Sequence, residues 1–256
     1  MYLNPRDSEL AYERWHSPMP VDDETDTPWH CLVKGHLVPT VDLENKRVLE
    51  IGCGRGGFAC WLAVQLERPA EIVASDFVQT AIDKGRSFAV ERGISGITWQ
   101  INDIQAIPYS DESFDTIISC ETIEHVPQPR RAIAELARVL KPGGRMFLTT
   151  PNYLGSLGLY RIYLWLAGRV FVEEGQPINN FMLLPRTVTW VREAGMHIST
   201  IDAVGHYLPF PGRPPLRFRG VDRPRRLMKW FALHTLIVAE KGLRLKVDRP
   251  CTSDNS

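Results

Sequence analysis

The sequence predicts an α/β fold built on a doubly wound parallel sheet. Five short apolar runs of strand length alternate with segments whose apolar residues recur at helical spacing. The first run is followed at once by a cluster of glycines and then by a helical pattern. A strand, a glycine turn and a helix N-terminus together form a cradle in which backbone approaches a ligand closely.

Each element is predicted from its own pattern. The strands are expected at residues 48–51, 71–76, 96–101, 114–120 and 145–150. Helical spacing of apolar residues marks the connections, and the positions that carry it are Phe58, Trp61, Leu62 and Leu66, then Val78, Ala81, Ile82, Gly85 and Ala89, then Ile133, Leu136, Ala137 and Leu140. The run from Lys141 to Gly144 is a proline–glycine terminator for the third of these helices.

The alternation breaks after Pro151. Residues 154–171 predict a helix that is apolar on most of its circumference, and it can be a packing helix, a lid over an apolar substrate pocket or a membrane-surface helix. A helix over residues 187–194 and two last strands at 196–205 and 234–241 follow. The intervening segment is rich in Pro and Arg, and residues 213–229 are either solvated surface or a patch for phosphate or nucleic acid.

Composition limits the class of protein. The chain has 256 residues, 44% of them apolar, and no net charge, so no global field attracts DNA, and no DNA partner is expected. No apolar run reaches the roughly 18 residues that a membrane span needs. The five cysteines form no C-x-x-C pair, which favours a reduced, cytoplasmic chain.

The predicted organisation has three parts. Residues 1–46 form a cover segment, with an acidic loop at residues 22–24 and aromatic side chains that lie over the main domain. Residues 47–247 form that domain, with a lid or substrate insertion at 151–185 and the Pro/Arg-rich connection at 206–233. Residues 248–256 are expected to be a disordered tail.

Chemistry-bearing residues follow the first four strands, where open α/β sheets bind ligands. They are Glu50 with the glycine loop, Asp76, the pair Asp103-Ile104, and the run from Cys120 to Val126. The glycines allow two interpretations. Gly52, Gly54 and Gly57 with Asp76 satisfy the G-x-G-x-x-G dinucleotide pattern, whereas Glu50, Gly52, Gly54 and Gly56 form E-x-G-x-G-x-G.

The second pattern resembles the first motif of class I S-adenosylmethionine (SAM) methyltransferases. Residues 74–76, 102–104, 113–118, 124–126 and 140–144 add to the resemblance, which covers about residues 46–150 and is nearest to the ubiquinone-biosynthesis O-methyltransferases. It implies SAM as methyl donor and a Rossmann-like, seven-stranded sheet whose last strand is antiparallel. The two late strands fit that sheet.

The resemblance also assigns site residues. Asp76 suits the ribose hydroxyls, because a carboxylate is an acceptor with two oxygens. Asp103 suits the adenine amino group, and Phe77 and Ile104 suit the faces of the ring. Glu50, Gly52, Gly54, Gly56 and Cys120 complete the predicted cofactor site. A dehydrogenase would leave Glu50 and Asp103 unexplained.

His125 has three interpretations that remain open at this stage. It can be a general base or hydrogen-bonding group for the acceptor, or it can simply cap or pack at a helix entry. The run Glu121-x-x-Glu124-His125 also resembles the metal-ligand run of the ubiquinone enzymes and of small-RNA 2′-O-methyltransferases, which implies Mg²⁺ or Zn²⁺. The RNA enzymes add a further histidine, and the nearest one downstream here is His197.

The predicted function is methyl transfer to a small-molecule or lipid-like acceptor, at oxygen. The apolar 154–171 segment favours a partly hydrophobic acceptor, and the basic 213–229 segment allows an anionic group on it. The alternatives are an RNA 2′-O-methyltransferase, a nicotinamide-dependent oxidoreductase and a catalytically silent binding protein with the same fold.

Overall fold

The computed structural model describes residues 5–21, 26–169, 176–210, 213–217 and 227–243. Among these residues the strands are β1 Arg47–Ile51, β2 Glu71–Asp76, β3 Ile97–Ile101, β4 Phe114–Cys120, β5 Leu140–Pro151, β6 Met196–Val204, β7 Tyr207–Phe210, β8 Arg213–Arg217 and β9 His234–Lys241. The helices are α1 Pro5–His16, α2 Pro28–His36, α3 Pro39–Asp42, α4 Gly57–Ala63, α5 Gln79–Glu91, α6 Pro129–Val139, α7 Ser156–Leu166 and α8 Leu184–Glu193. Short 3-10 helices lie at Ile123–His125 and Met228–Phe231.

A seven-stranded sheet has the order β3-β2-β1-β4-β5-β9-β6. β1 pairs in parallel with both β2 and β4, and β9 is antiparallel to its neighbours β5 and β6. The predicted Rossmann-like sheet with an antiparallel last strand is therefore confirmed. The winding reverses between β1 and β4, so a ligand crevice is expected where their carboxyl ends diverge.

Helices cover both faces of the sheet. Leu49 packs with Ile117 and Ile133 in one apolar cluster, whereas the adjacent Val48 packs with Phe58 in another. Successive side chains of a strand point to opposite faces of the sheet. Because these strands are apolar at nearly every position, both faces of the sheet are buried. The sheet is consequently a rigid base for the loops at its edges.

Two predicted helix boundaries are wrong. Leu140 is not on the core face of α6, which ends at Val139, because Leu140 is already extended and pairs with Phe114 as the first residue of β5. α4 ends at Ala63 and leaves Leu66 exposed. The side-chain amide of Gln65 donates to the Trp61 carbonyl at 2.6 Å, which takes the acceptor that the next helical backbone bond would need.

The insertion after β5 contains α7, which buries only Gly158 and Leu164 of its own residues. Its large apolar side chains at Leu159, Tyr163 and Trp165 are mostly exposed, so α7 is not a buried core helix and packs on the domain only through a narrow face. Arg161 holds α7 to the returning chain by donating to the side-chain and backbone oxygens of Asn179. A lid role for this insertion stays a prediction.

Other parts of the chain depart from the sequence analysis or lie outside the description. The cover segment contains three helices that were not predicted, and the connection contains the hairpin of β7 and β8. The acidic loop at 22–24, the tail at 248–256, and residues 211–212 and 218–226 of the Pro/Arg-rich connection lie outside the described residues. Within that connection, Lys229 donates to the Ile201 carbonyl at 2.9 Å. Every helix that the structure describes is too short or too polar to span a bilayer.

Candidate functional site

A cavity of about 600 Å³ lies at the carboxyl edge of the parallel strands. The loops after β1 to β4 form its floor, and residues of α1, α2 and the start of β9 complete its walls. The predicted site residues that line it are Glu50, Gly52, Gly54, Asp76, Phe77, Asp103, Ile104, Cys120, Glu121, Glu124 and His125. The topology thus brings together motifs that are separated by up to 75 positions in the sequence.

The glycine loop closes tightly over the end of β1. The backbone N–H groups of Gly52 and Cys53 both donate to the Ser75 carbonyl, at 2.8 and 3.0 Å. Gly52 has a φ of +74°, and a Cβ there would lie 2.2 Å from the Thr122 hydroxyl oxygen. A side chain at this position is therefore excluded by both conformation and space.

Gly56 belongs to the support of the loop. A Cβ on Gly56 would lie 2.4 Å from the ring of Trp99, and one on Gly85 would lie 2.6 Å from the same ring. The two glycines let α4 and α5 approach β3 across this tryptophan. Gly56 thus acts through helix packing in this structure, whereas Gly52 and Gly54 line the cavity.

Asp76 links the second strand to the glycine loop. Its carboxylate accepts from the Gly54 N–H at 2.9 Å and from the Val78 N–H at 3.2 Å. Burial raises the pKa of this carboxyl to about 6, although the backbone hydrogen bonds oppose the shift. Each carboxylate oxygen keeps a further lone pair, so both can still accept from a ligand.

The third strand supplies a polar and an apolar wall. Asp103 accepts from the Gln105 N–H at 2.8 Å and so forms an Asx-type turn. The same residue also lines the cavity. Ile104 is buried, and Phe77 faces Tyr12 with ring centroids 5.2 Å apart. Asn102, which the sequence analysis did not single out as a site residue, is also buried against the cavity.

Glu50 and Cys120 end neighbouring strands, and Glu50 is almost fully buried. Burial raises the pKa of the Cys120 thiol well above its ordinary value, and the nearby Glu50 carboxylate adds to the shift. The thiol consequently stays protonated near neutral pH. Cys120 serves as a neutral wall in this cavity rather than as a nucleophile.

His125 is held on both ring nitrogens. Its Nδ1 lies 2.8 Å from the Ile178 carbonyl, and because a carbonyl only accepts, this nitrogen carries the proton. Its Nε2 lies 3.5 Å from Oε1 of Glu124, which is almost fully buried. Tyr12 donates to the same Ile178 carbonyl at 3.2 Å. His125 therefore joins the turn after β4 to the chain that returns from the insertion.

The predicted metal ligands do not form a metal centre. Glu124 accepts from the Thr150 hydroxyl at 3.2 Å, whereas Glu121 faces His234 with 3.4 Å between Oε2 and Nδ1. Among the residues described, no three His, Cys, Asp or Glu side chains are arranged to hold a metal ion. Glu121, Glu124 and His125 thus enter two separate pairs, and the donor set does not fit Mg²⁺ or Zn²⁺ in this arrangement.

The N-terminal helix contributes residues that the sequence analysis treated only as covering aromatics. Tyr12 and Trp15 line the cavity together with His16, whose pKa is lowered to about 4, mainly by burial and then by Arg55. Lys84 holds the end of α1 in place by donating to the carbonyl of its last residue, His16, and to those of Ser17 and Met19 just beyond it. A cation at this end also interacts favourably with the helix dipole.

The opposite wall is aromatic and carries a second histidine. His234 begins β9 and lies beneath Trp29, with ring centroids 5.2 Å apart, while Tyr207 meets it edge-on at 6.3 Å. His197, the nearest histidine downstream of the E-x-x-E-H run, is exposed on β6, where it pairs with Glu240. Neither Trp29 nor His234 has a local motif in the sequence, and the fold brings them together because α2 and the start of β9 line the same cavity.

Residues 49–148 match a family described as "Methyltransferase domain". A ubiquinone biosynthesis O-methyltransferase of Xylella fastidiosa strain M23 is 31% identical over 186 residues, which cover 72% of this chain and 74% of that protein. A protein of the same name from Coxiella burnetii strain RSA 331 is 30% identical over 179 residues, with 68% and 73% covered.

Solved structures show the same fold. The structure of an S-adenosylmethionine-dependent methyltransferase from Mesorhizobium loti superimposes with a TM-score of 0.59 at 16% identity. The superposition covers 84% of this chain and 99% of that one. At this identity the likeness concerns the fold alone.

Proposed function

From the finding that the chain belongs to the S-adenosylmethionine-dependent methyltransferases, we propose that it methylates a hydroxyl oxygen of a small, partly apolar acceptor. The observation that carries the proposal is the position of the buried Asp76 carboxylate, which is bound to the glycine loop inside the cavity. The names of the relatives, which specify O-methyltransferases, support oxygen as the atom that is methylated.

The residues present fit the cofactor that the family implies. A loop in which Gly52 can bear no side chain and a buried carboxylate at Asp76 are suited to a nucleoside that approaches the backbone closely. Asp76 would bind the ribose hydroxyls, Asp103 the adenine amino group, and Phe77 and Ile104 the faces of the ring. Bound SAM supplies a methyl group on a sulfonium sulfur, which is already an activated leaving group.

The chain mainly has to align the acceptor and exclude water. Alignment of two reactants in one site can lower a barrier by about 7–11 kcal/mol, so little further chemistry is required. Trp29, Tyr207 and Leu157 line the acceptor end of the cavity and favour a flat or apolar body. An anionic group on the acceptor and a cytoplasmic location stay predictions from the sequence.

The test combines binding and turnover. Calorimetry with SAM, S-adenosylhomocysteine and NAD is expected to show micromolar binding of the first two and none of NAD. Incubation with SAM and hydroxyl-bearing phenols, sugars, lipid-linked acceptors and a short RNA, followed by mass spectrometry, should show one added methyl group on a small acceptor. NAD binding, methylated RNA or bound SAM without any product would each contradict the proposal and favour one of the alternatives above.

A further inference from the structure

Glu121 occupies a backbone conformation that a side chain rarely adopts. Its φ is +46°, and its N–H is held by the backbone and side-chain oxygens of Thr149, at 3.2 and 3.1 Å. A non-glycine residue is unfavourable in this region, and such residues cluster at functional sites. Since Glu121 also lines the cavity, the conformation aims a carboxylate into the site.

That carboxylate is incompletely satisfied. Oε2 faces Nδ1 of His234 at 3.4 Å, while Oε1 is buried and receives no hydrogen bond from any residue that the structure describes. A buried carboxylate oxygen without a donor is unfavourable, so packing alone does not account for Glu121. A polar role at the cavity accounts for both the strained backbone and the poorly satisfied oxygen.

The contact with Glu121 determines which ring nitrogen of His234 carries the proton. A carboxylate only accepts, so Nδ1 of His234 carries the proton and Nε2 keeps its lone pair in the neutral ring. Nε2 makes no hydrogen bond within the described part of the chain, whereas Nε2 of His125 faces Glu124. Trp29 and Tyr207 pack against the His234 ring and limit its rotation.

The start of β9 is itself held firmly. The buried Asn152 side chain donates to the Trp230 and Ala232 carbonyls just before β9, at 2.7 and 3.3 Å, and the hydroxyl of Thr235 in β9 donates to the Thr150 carbonyl at 2.9 Å. A Cβ on Gly205 would lie 3.1 Å from the His234 ring, so the backbone closes on this histidine from a third side. A hydrogen-bonding group held this firmly can position a ligand without further ordering.

We infer that Nε2 of His234 binds the hydroxyl group of the acceptor and that Glu121 is its positioning residue, without a metal ion. The inference rests on the proposed function and assigns the acceptor side of that site. When the hydroxyl oxygen takes the methyl group, an O–CH3 bond forms and the O–H bond breaks. The electron pair of the S–CH3 bond stays on sulfur, and the hydroxyl proton passes to Nε2.

The first experiment uses ¹⁵N-histidine NMR at pH 7.5 on the full chain, with His234 assigned from the spectrum of His234→Phe. The Nδ1-protonated tautomer is expected. With S-adenosylhomocysteine bound, phenol is expected to shift the His234 Nε2 resonance, whereas anisole, which lacks the hydroxyl, is not. An Nε2-protonated or doubly protonated ring, or a phenol titration that leaves Nε2 unchanged, would overturn the inference.

The second experiment measures SAM affinity and methyl transfer to the acceptor that the mass-spectrometric assay identifies. His234→Phe keeps a ring between Trp29 and Tyr207 but is expected to lose about 100-fold or more in kcat/KM, with SAM affinity unchanged. His234→Gln, whose amide can occupy the Nε2 position, should recover part of that loss. His197→Phe, the same change on exposed β6, should have no effect.

A third experiment tests whether Glu121 positions His234 or only stabilises the fold. Glu121→Gly suits a φ of +46° and is expected to fold at least as stably as the parent, yet to lose about tenfold or more in kcat/KM. Glu112→Gly is the matched control, because Glu112 also has a positive φ of 60° but does not line the cavity. Full activity of Glu121→Gly, or loss of parental activity in EDTA, would overturn the inference. Failure of the parent to bind SAM would instead refute the proposed function.

Discussion

The two ends of the cavity are built differently. At the cofactor end, Asp76 is the last residue of β2 and Asp103 lies two residues after β3, and their contacts are with residues two positions away or in the loop after the neighbouring strand β1. At the acceptor end, Glu121 meets His234, which lies 113 positions later on an antiparallel strand. The first end is local in sequence and the second is assembled by the whole fold.

The largest effect is expected from Asp76→Ala. If Asp76 binds both ribose hydroxyls, its loss removes two charge-assisted hydrogen bonds and should weaken SAM at least about 100-fold in calorimetry. Asp83→Ala is the matched control, since Asp83 is an exposed carboxylate on α5. Equal affinities of the two variants would mean that the cofactor end has been placed wrongly.

Gly52→Ala should have the next largest effect, on folding. The added methyl group would collide with Thr122, and the alanine would have to adopt a φ of +74°. The two effects together should lower the free energy of unfolding by about 3 kcal/mol. Gly54→Ala meets no atom within 4 Å and should cost only about 1 kcal/mol for its φ of +52°. Urea denaturation of the pair measures the difference, and similar losses would refute the steric explanation.

The contrast between the two ends also explains what the sequence could predict. Glu50, Asp76, Asp103 and the glycines stand beside the strands that position them, so strand order alone brings them to one edge. His234 could not be found in this way, because its place depends on β9 pairing with β5 across about 85 residues.

For some residues the sequence predicted the place at the cavity but could not predict the hydrogen-bond partners, and therefore could not predict the role. Glu121, Glu124 and His125 all line the cavity, yet their partners are His234, Thr150 and Ile178. Each partner arrives from a later element, so the spacing E-x-x-E-H alone cannot show whether the side chains converge on one point. Tyr12 and Trp29 come from helices whose docking depends on side-chain contacts such as those of Lys84.

Asp76 also predicts a pH dependence that is specific to the cofactor end. Because its pKa in the folded protein is about 6, SAM affinity should fall as the pH drops through 6, by up to tenfold per pH unit, and should be constant above about pH 7. Since the raised pKa favours proton uptake by the folded state, the Asp76 contribution to stability should fall as the pH rises from about 4 to 6. Asp76→Asn should abolish both trends, and an unchanged slope in that variant would exclude Asp76 as their source.

The smallest effect is expected at His125. His125→Ala should lower the free energy of unfolding by about 1 kcal/mol through loss of the bond to the Ile178 carbonyl, and it should increase hydrogen exchange around residues 176–180. His125→Asn, whose amide can donate in place of Nδ1, should restore protection. A 100-fold fall in kcat with unchanged exchange would instead make His125 the acceptor's base and would reverse the roles of the two histidines.

The most direct test of the account is a crystal structure of the chain with S-adenosylhomocysteine. The account predicts the ribose hydroxyls on Asp76, the adenine between Phe77 and Ile104, and the sulfur turned toward the end of the cavity that holds Glu121 and His234. A nucleoside bound beneath Trp29 at His234, or a ligand that leaves Asp76 untouched, would contradict it.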